Sequence, residues 1–231
     1  MITAIIPARG GSKRLPGKNV RLLAGRPLIF HTIDAVLNHP AISRIIFTTD
    51  SDAYINLVRT EYDDQVAIIK RPTEYASDKA KVYDEVVRLA QIGEISTEWF
   101  LTCLPTAPLR NHVTVEKLLA EWTEEPTPRF SVSKYSFPIQ FAFDIDDDGD
   151  WRSIFADSPM VTGKTRSQDI PPRYRPNGAM YLQKTVNLES NKTFYIDAKP
   201  FLISEVESTD VDTEIDFALA EILLYKQRQP V

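Results

Sequence analysis

The chain has a single cysteine, Cys103, among its 231 residues. An intramolecular disulfide is therefore impossible, and a metal site built on several thiolates is equally excluded. Histidine is scarce: His31, His39 and His112 are scattered and show no ligand spacing. Glycine is sparse too, eight residues against sixteen prolines, which predicts many stiff loops. No apolar run approaches the roughly 20 residues of a membrane span. The opening Met1-Ile-Thr-Ala-Ile-Ile-Pro7 lacks the basic segment and long apolar stretch of a secretory signal. A soluble cytoplasmic protein without a membrane partner is the expectation. A basic excess is also missing. The net charge of −5 makes a poor general binder of nucleic acid, since duplex affinity comes mostly from basic surface, yet it leaves room for a local basic pocket.

Hydrophobic residues at 43% and charged residues at 26% are globular values, which excludes a disordered or low-complexity chain. The first 125 residues alternate between short apolar runs and amphipathic stretches. Strands are predicted at 2–7, 45–50, 66–69 and 99–104, and helices at 28–39, 52–61, 79–92 and 112–122. Such alternation predicts a parallel sheet covered by helices on both faces. Ligands of these sheets bind at the carboxyl ends of the strands, so residues just after strands come first. From 126 onward short strand-like runs replace the alternation, near 130–133, 140–144, 151–155, 178–182 and 200–204. A last helix is expected over 213–227, with Ile215, Leu219, Ile222 and Leu223 as its buried stripe. The whole chain reads as one domain, 1–231, with a β-rich excursion near 130–175.

The most informative stretch follows the first strand: Ala8-Arg9-Gly10-Gly11-Ser12-Lys13-Arg14-Leu15-Pro16-Gly17-Lys18-Asn19. Three of the eight glycines and four cations sit here, in an acidic protein. Glycines let backbone N–H groups turn toward an anion, and Arg and Lys supply the opposing charge, the combination a polyphosphate needs. The spacing fits neither a Walker A loop nor the dinucleotide fingerprint, because five residues separate Gly11 from Gly17-Lys18 and G-x-G-x-x-G is absent.

Several decoys carry little. Asp144-Ile-Asp-Asp-Asp-Gly149-Asp150 opens like a calcium loop, but its twelfth position is Phe155 where a bidentate Glu is required; an Asp-Gly turn between strands is the expectation. Cys103 lies in an apolar strand and reads as packing.

The first loop resembles the signature loop of nucleotidyltransferases that attach CMP to 3-deoxy-keto sugar acids. Further blocks narrow the resemblance: Arg71-Pro-Thr-Glu-Tyr-Ala76-Ser-Asp78, Pro105-Thr-Ala-Pro-Leu-Arg110, Arg175-Pro-Asn177-Gly-Ala-Met-Tyr181 and Asp210-Val-Asp212-Thr-Glu214. Together they resemble the acylneuraminate cytidylyltransferases over nearly the whole chain. The CMP-Kdo synthetases share the first loop, but the Leu104-Pro-Thr-Ala-Pro passage disfavours them. The resemblance implies an α/β fold with a Rossmann-like, mostly parallel sheet of the nucleotide-diphospho-sugar transferase type and a small β-rich dimerisation excursion. It implies a homodimer, CTP and an acidic nine-carbon nonulosonate as partners, and Mg2+ or Mn2+ as cofactor.

The site residues follow from the same resemblance. Ala8, Arg9, Gly10, Gly11, Ser12, Lys13 and Lys18 would hold the triphosphate; Asn19, Arg71, Ala76, Asp78 and Ala80 would meet the base or ribose. Arg9, Lys18 and Asp212 would be catalytic, with Lys18 at the α-phosphate. Asp210 and Asp212 would hold the metal; two apart in an extended segment, their carboxylates face one way. Capping of the last helix by Asp212 or Thr213 is the other reading of that segment. The sugar would meet Leu104, Gln140, Arg166, Arg175, Asn177 and Tyr181, with a guanidinium matched to its carboxylate. Asn177-Gly178 as a plain turn and Tyr181 as strand core stand as alternatives. Leu104 and Gln140 replace residues typical of sialate enzymes, and the runs around Thr165 and Phe137 resemble the pseudaminate branch. The sugar thus stays open among N-acetylneuraminate, legionaminate-type and related acids. CMP-Kdo synthesis and a non-catalytic nucleotide-binding homologue remain as rivals.

Overall fold

A computed structural model describes residues 1–228. Strand β1 (Ile2–Pro7) runs into the glycine-rich loop, which closes with the short pair β2 (Leu22–Leu23) and β3 (Arg26–Pro27). Then come α1 (Leu28–Val36), β4 (Ile42–Thr49), α2 (Asp52–Tyr62), β5 (Ala67–Lys70), α3 (Val82–Gln91), β6 (Trp99–Cys103) and α4 (His112–Glu124). The second half contains β7 (Arg129–Lys134), β8 (Phe143–Ile145), β9 (Trp151–Ser153), α5 (Pro159–Thr162), β10 (Tyr174–Lys184), β11 (Lys199–Leu202) and α6 (Glu214–Arg228). Among the described residues no helix is long and apolar enough to cross a membrane.

Seven strands form one sheet in the order β11-β7-β10-β6-β1-β4-β5. All pairings are parallel except those of β10, which runs antiparallel to β6 and to β7. Strand β1 is central and buried along its whole length, which is why its sequence is a continuous apolar run without alternation. One face packs Ile6, Phe47, Leu101 and Val115 with their neighbours; the other packs Ile5, Ile46, Val86 and Phe100. Local chemistry sets the helix starts. Ser51 Oγ accepts from Tyr54 N–H at the head of α2, and Asn111 forms a capping box with Thr114 at the head of α4.

A third, smaller apolar cluster joins Leu15, Leu23 and Leu28 to Leu109, Val211, Phe217 and Leu224. It ties the glycine-rich loop to α6, elements nearly 200 residues apart in the chain. The buried face of α6 is therefore Phe217, Ala220 and Leu224, with Leu223 partly covered. The expected stripe is corrected: Ile215, Leu219 and Ile222 are 79%, 47% and 56% exposed. The Arg21 guanidinium over the Phe217 ring, at 4.4 Å from its centroid, and its ion pair with Glu214 fix the rotation of the helix that way.

The segment that leaves the sheet is shorter than 130–175, because both flanks pair as strands. Lys134 faces Tyr174 in register, and Tyr135 N–H donates to the Arg173 carbonyl at 3.0 Å. The excursion carries the separate β8–β9 hairpin, turning through Gly149 at φ +87°, so the Asp-rich stretch is a turn. The 140–144 run divides into a 3₁₀ turn at Ile139–Phe141 and the start of β8. Phe137, Phe143, Ile145, Trp151 and Ile154 of the excursion lie exposed.

Candidate active site

A cavity of about 520 Å³ opens at the carboxyl ends of β1, β5 and β6. The glycine-rich loop forms one side, through Ala8, Arg9, Gly11, Ser12, Lys13, Arg14, Lys18 and Asn19. Arg71, Tyr75, Ser77, Asp78 and Ala80 form the opposite side, and Leu104, Pro105, Thr106 and Asp212 complete it. Of the nucleotide residues expected from sequence, only Gly10 and Ala76 are not among the lining.

Gly10 has a different task. Its N–H donates to Asp50 Oδ1 at 2.7 Å, and its carbonyl accepts from Tyr54 Oη at 3.3 Å. A Cβ at Gly10 would stand 2.9 Å from Ser51 Cβ, too close for any L side chain without a shift. The glycine thus lets the loop lie against the turn between β4 and α2. Asn19, buried, donates to the Arg9 carbonyl at 3.1 Å and holds the loop's other arm.

The four loop cations are divided between two carboxylates. Arg9 meets Asp78 at 2.9 Å, and Lys13 meets the other oxygen of Asp78. Arg14 meets Asp212 at 2.5 Å, and Lys18 meets it at 2.9 Å. Lys18 is buried and also donates to the Val211 carbonyl at 2.6 Å, so its ammonium is aimed rather than free. The two nearby cations hold the Asp78 carboxyl below the usual carboxylate range, led by Lys13.

The Asp210-Val211-Asp212 segment has no regular secondary structure; Val211 is fully buried, with Asp210 exposed before it and Asp212 half-buried after it. Thr213 and Asp216 cap α6 reciprocally: Asp216 N–H donates to Thr213 Oγ1, and Asp216 Oδ2 accepts from Thr213 N–H at 2.7 Å. Capping therefore does not consume Asp212. Partial loss of hydration, then the neighbouring Asp212 and Asp216 charges, raise the Asp210 carboxyl, against a Thr106 hydrogen bond and Lys18. Among the described residues no cluster of three or more His, Cys, Asp or Glu is assembled. Asp212 lines the cavity and Asp210 does not, though the two carboxylates feel each other's charge; such hard oxygen donors fit a cation such as Mg2+, which takes one or two protein carboxylates and fills its shell with water and phosphate oxygens.

The residues expected at the sugar do not all converge. Leu104 lines the main cavity, with its Cδ1 3.5 Å from where a Cβ of Gly178 would lie. Asn177 is buried: its Oδ1 accepts from Ser131 Oγ at 2.6 Å and from Ala179 N–H, while its Nδ2 has no partner among the described residues. Tyr181 is packed in the strand, stacked on Phe194 with its hydroxyl 3.4 Å from Tyr195; burial pushes that phenol up. Arg175 is exposed on β10. Gln140 and Arg166 line a separate hollow of about 550 Å³ within the excursion, together with Lys164 and Arg173.

Three contributors escaped the sequence reading: Tyr75 on the wall, Asp50 behind Gly10, and Glu85 behind Arg71. Glu85 left a signal. It falls in the stripe Val82, Val86, Leu89 of α3, where a carboxylate has no reason to stand unless paired.

Comparison with known proteins gives the family and the fold. A family model described as cytidylyltransferase matches residues 3–155. The chain is 35% identical over 230 residues to the CMP-N,N'-diacetyllegionaminic acid synthase of Legionella pneumophila, covering 96% of each. It is 30% identical over 238 residues to the N-acylneuraminate cytidylyltransferase of Escherichia coli O18:K1:H7; 99% of this chain is covered but 53% of the relative, so here it spans about half the relative's length. Among solved structures, a CMP:2-keto-3-deoxy-manno-octonic acid synthetase complexed with CTP has the same fold, with a TM-score of 0.71 over 98% of this chain and all of the other, at 16% identity.

Proposed function

The chain belongs to the cytidylyltransferase family and is a nucleotidyltransferase; from that premise we propose that it transfers CMP from CTP to a nine-carbon 3-deoxy-keto sugar acid. The anomeric C2 hydroxyl attacks the α-phosphate and gives its proton to water, the new O–P bond forms, the bond to the β-phosphate oxygen breaks, and pyrophosphate leaves. The observation that carries this reading is the single cavity that joins Arg9, Lys13 and Lys18 to Arg71 on the facing wall and to Asp212 at its end. A triphosphate along the loop would take over the cations that Asp78 and Asp212 now hold.

Phosphoryl transfer is mostly positioning and charge stabilisation. Lys18, anchored by the Val211 carbonyl, presents a fixed positive charge at the α-phosphate. Arg9 and Lys13 bind the leaving pyrophosphate, and Arg71 meets the base. Asp210 and Asp212 would hold Mg2+. That ion, when bound, neutralises charge on the phosphate oxygens. The Thr106 carbonyl accepts from Val211 N–H at 2.7 Å and fixes the backbone between the two carboxylates.

A legionaminate-type acid is the favoured acceptor. The full-length similarity to the Legionella protein supports it, as does apolar Leu104 on the cavity wall. We also propose a cytoplasmic homodimer that joins through the excursion, supported by its exposed Phe143, Ile145 and Trp151. The hollow at Gln140 and Arg166 would then face the partner's cavity and complete the sugar site.

The test is pyrophosphate release from CTP with Mg2+, across N-acetylneuraminate, legionaminate, pseudaminate and Kdo. Release with a nine-carbon acid is expected. Release with Kdo alone would overturn the acceptor class, and CTP binding without release from any acid would mark a non-catalytic homologue.

A further inference from the structure

Behind one wall of the cavity lies a charge network centred on a carboxylate that solvent does not reach. Glu85 on α3 is fully buried. Its Oε1 accepts from Thr48 Oγ1 at 2.5 Å and from Arg88 NH2 at 2.8 Å, and its Oε2 accepts from Arg88 Nε at 2.7 Å. Arg71 Nε lies 3.7 Å from the same Oε1. Arg71 is itself buried; its NH2 donates to the Thr48 carbonyl at 3.2 Å and its Nε points at Thr48 Oγ1 at 3.5 Å. The same Thr48 carbonyl accepts from Ala8 N–H at 2.9 Å, where the glycine-rich loop begins. The Arg88 guanidinium stands 5.6 Å over the ring of Tyr75, and both Tyr75 and Arg71 line the cavity.

A carboxylate without water persists only where cations and donors answer it. Arg88 alone would answer Glu85, bidentately. A second guanidinium drawn toward the same carboxylate, with Thr48 between, fixes a side chain that is otherwise long and flexible. Two nitrogens of Arg71 are committed to Thr48, and NH1 makes no hydrogen bond to the described residues. Cytosine presents two adjacent acceptors, O2 and N3. Uracil presents O2 beside an N3–H donor. A donor fixed in place separates these two edges, whereas a mobile one can reach either oxygen of uracil.

We infer that Glu85 is a positioning residue for pyrimidine selection. With Thr48 it holds Arg71 so that NH1 meets the acceptor edge of cytosine, and through Arg88 it steadies Tyr75 on the same wall. The inference rests on the reading of this cavity as the CTP site. Glu85 itself touches no substrate.

The test compares the full-length wild-type chain with Glu85→Gln, which keeps the shape and removes the charge, and with Thr48→Val, which removes the bridging hydroxyl without changing charge. Steady-state kinetics with CTP and UTP are paired with calorimetry using inorganic triphosphate. For Glu85→Gln the KM for CTP should rise at least about tenfold with kcat within about threefold, and the preference for CTP over UTP should fall at least about tenfold. Binding of inorganic triphosphate should not change. Thr48→Val should move in the same direction, and it decides the matter if Glu85→Gln does not fold. Wild-type CTP preference in a folded variant would overturn the inference. So would an equal loss of CTP and inorganic triphosphate binding, which marks a merely structural role. A wild-type chain that does not favour CTP would instead overturn the proposed function.

Discussion

Lys18 and Asp212 meet at 2.9 Å across the carboxyl end of the sheet, joining the first loop to the segment before the last helix. The pair is held from below, because Leu15 and Val211 are buried in one apolar cluster. Packing thus sets the approach of a cation and a carboxylate that lie 194 residues apart. Lys18→Met should lower the rate of pyrophosphate release by roughly 10²–10³-fold, the cost of losing one preorganised charge at a phosphoryl centre. Its stability cost should stay near about 1–3 kcal/mol, since Arg14 still answers Asp212. Kinetics with denaturant unfolding checks both; a fall in activity explained by unfolding alone would refute the role.

Gly10 offers a test by compensation. Gly10→Ala puts its Cβ against Ser51 Cβ and should displace the loop from Asp50, raising the KM for CTP. Ser51→Gly removes the obstacle and costs only a few tenths of a kcal/mol as a helix cap. The double variant should recover most of the CTP affinity, seen as a coupling energy of about 0.5–3 kcal/mol in a double-mutant cycle. Additive effects would mean that the close approach is irrelevant.

Acid stability has an identifiable contributor. Glu207 loses hydration, which raises its pKa, but hydrogen bonds from Ser204 and Thr114 outweigh this and hold it below its ordinary value of 4.5. A depressed pKa in the folded state adds stability above the unfolded value and loses it as pH falls through the folded one. Glu207→Gln should therefore be less stable than wild type at neutral pH, and the gap should close as pH drops below about 4.5. Parallel unfolding curves at pH 7 and pH 3 measure this; a constant gap would refute it.

The rotation of α6 is equally testable. Phe217→Ala should destabilise by roughly 3–5 kcal/mol, whereas Ile215→Gln should stay within about 0.5 kcal/mol. The reverse order would restore the stripe that the sequence suggests.

That helix shows where sequence reasoning stops. The β/α alternation was legible because parallel strands buried on both faces leave continuous apolar runs, as in Ile2–Pro7 and Trp99–Cys103. The glycine-rich loop was legible because glycines and cations rarely concentrate so strongly. On α6 the apolar side chains Ile215, Leu219 and Ile222 are outward, and the placement of Arg21 and of the cluster from Leu15 to Val211 selects Phe217 and Leu224. The division of the loop cations between Asp78 and Asp212 is likewise a matter of tertiary approach, which no local spacing encodes. Glu85 lay in plain view, but a lone carboxylate on a helix ordinarily reads as a solvated one.

The closed neck at Lys134 and Tyr174 has a consequence for how such a protein diversifies. The chain leaves the sheet and comes back at adjacent positions, so everything between is topologically a cassette. The cavity walls, from the first loop through Arg71 to Asp212, lie outside it. Under the acceptor reading proposed above, inheritance can exchange or reshape that cassette to suit a new sugar while the chemistry of the donor passes down unaltered.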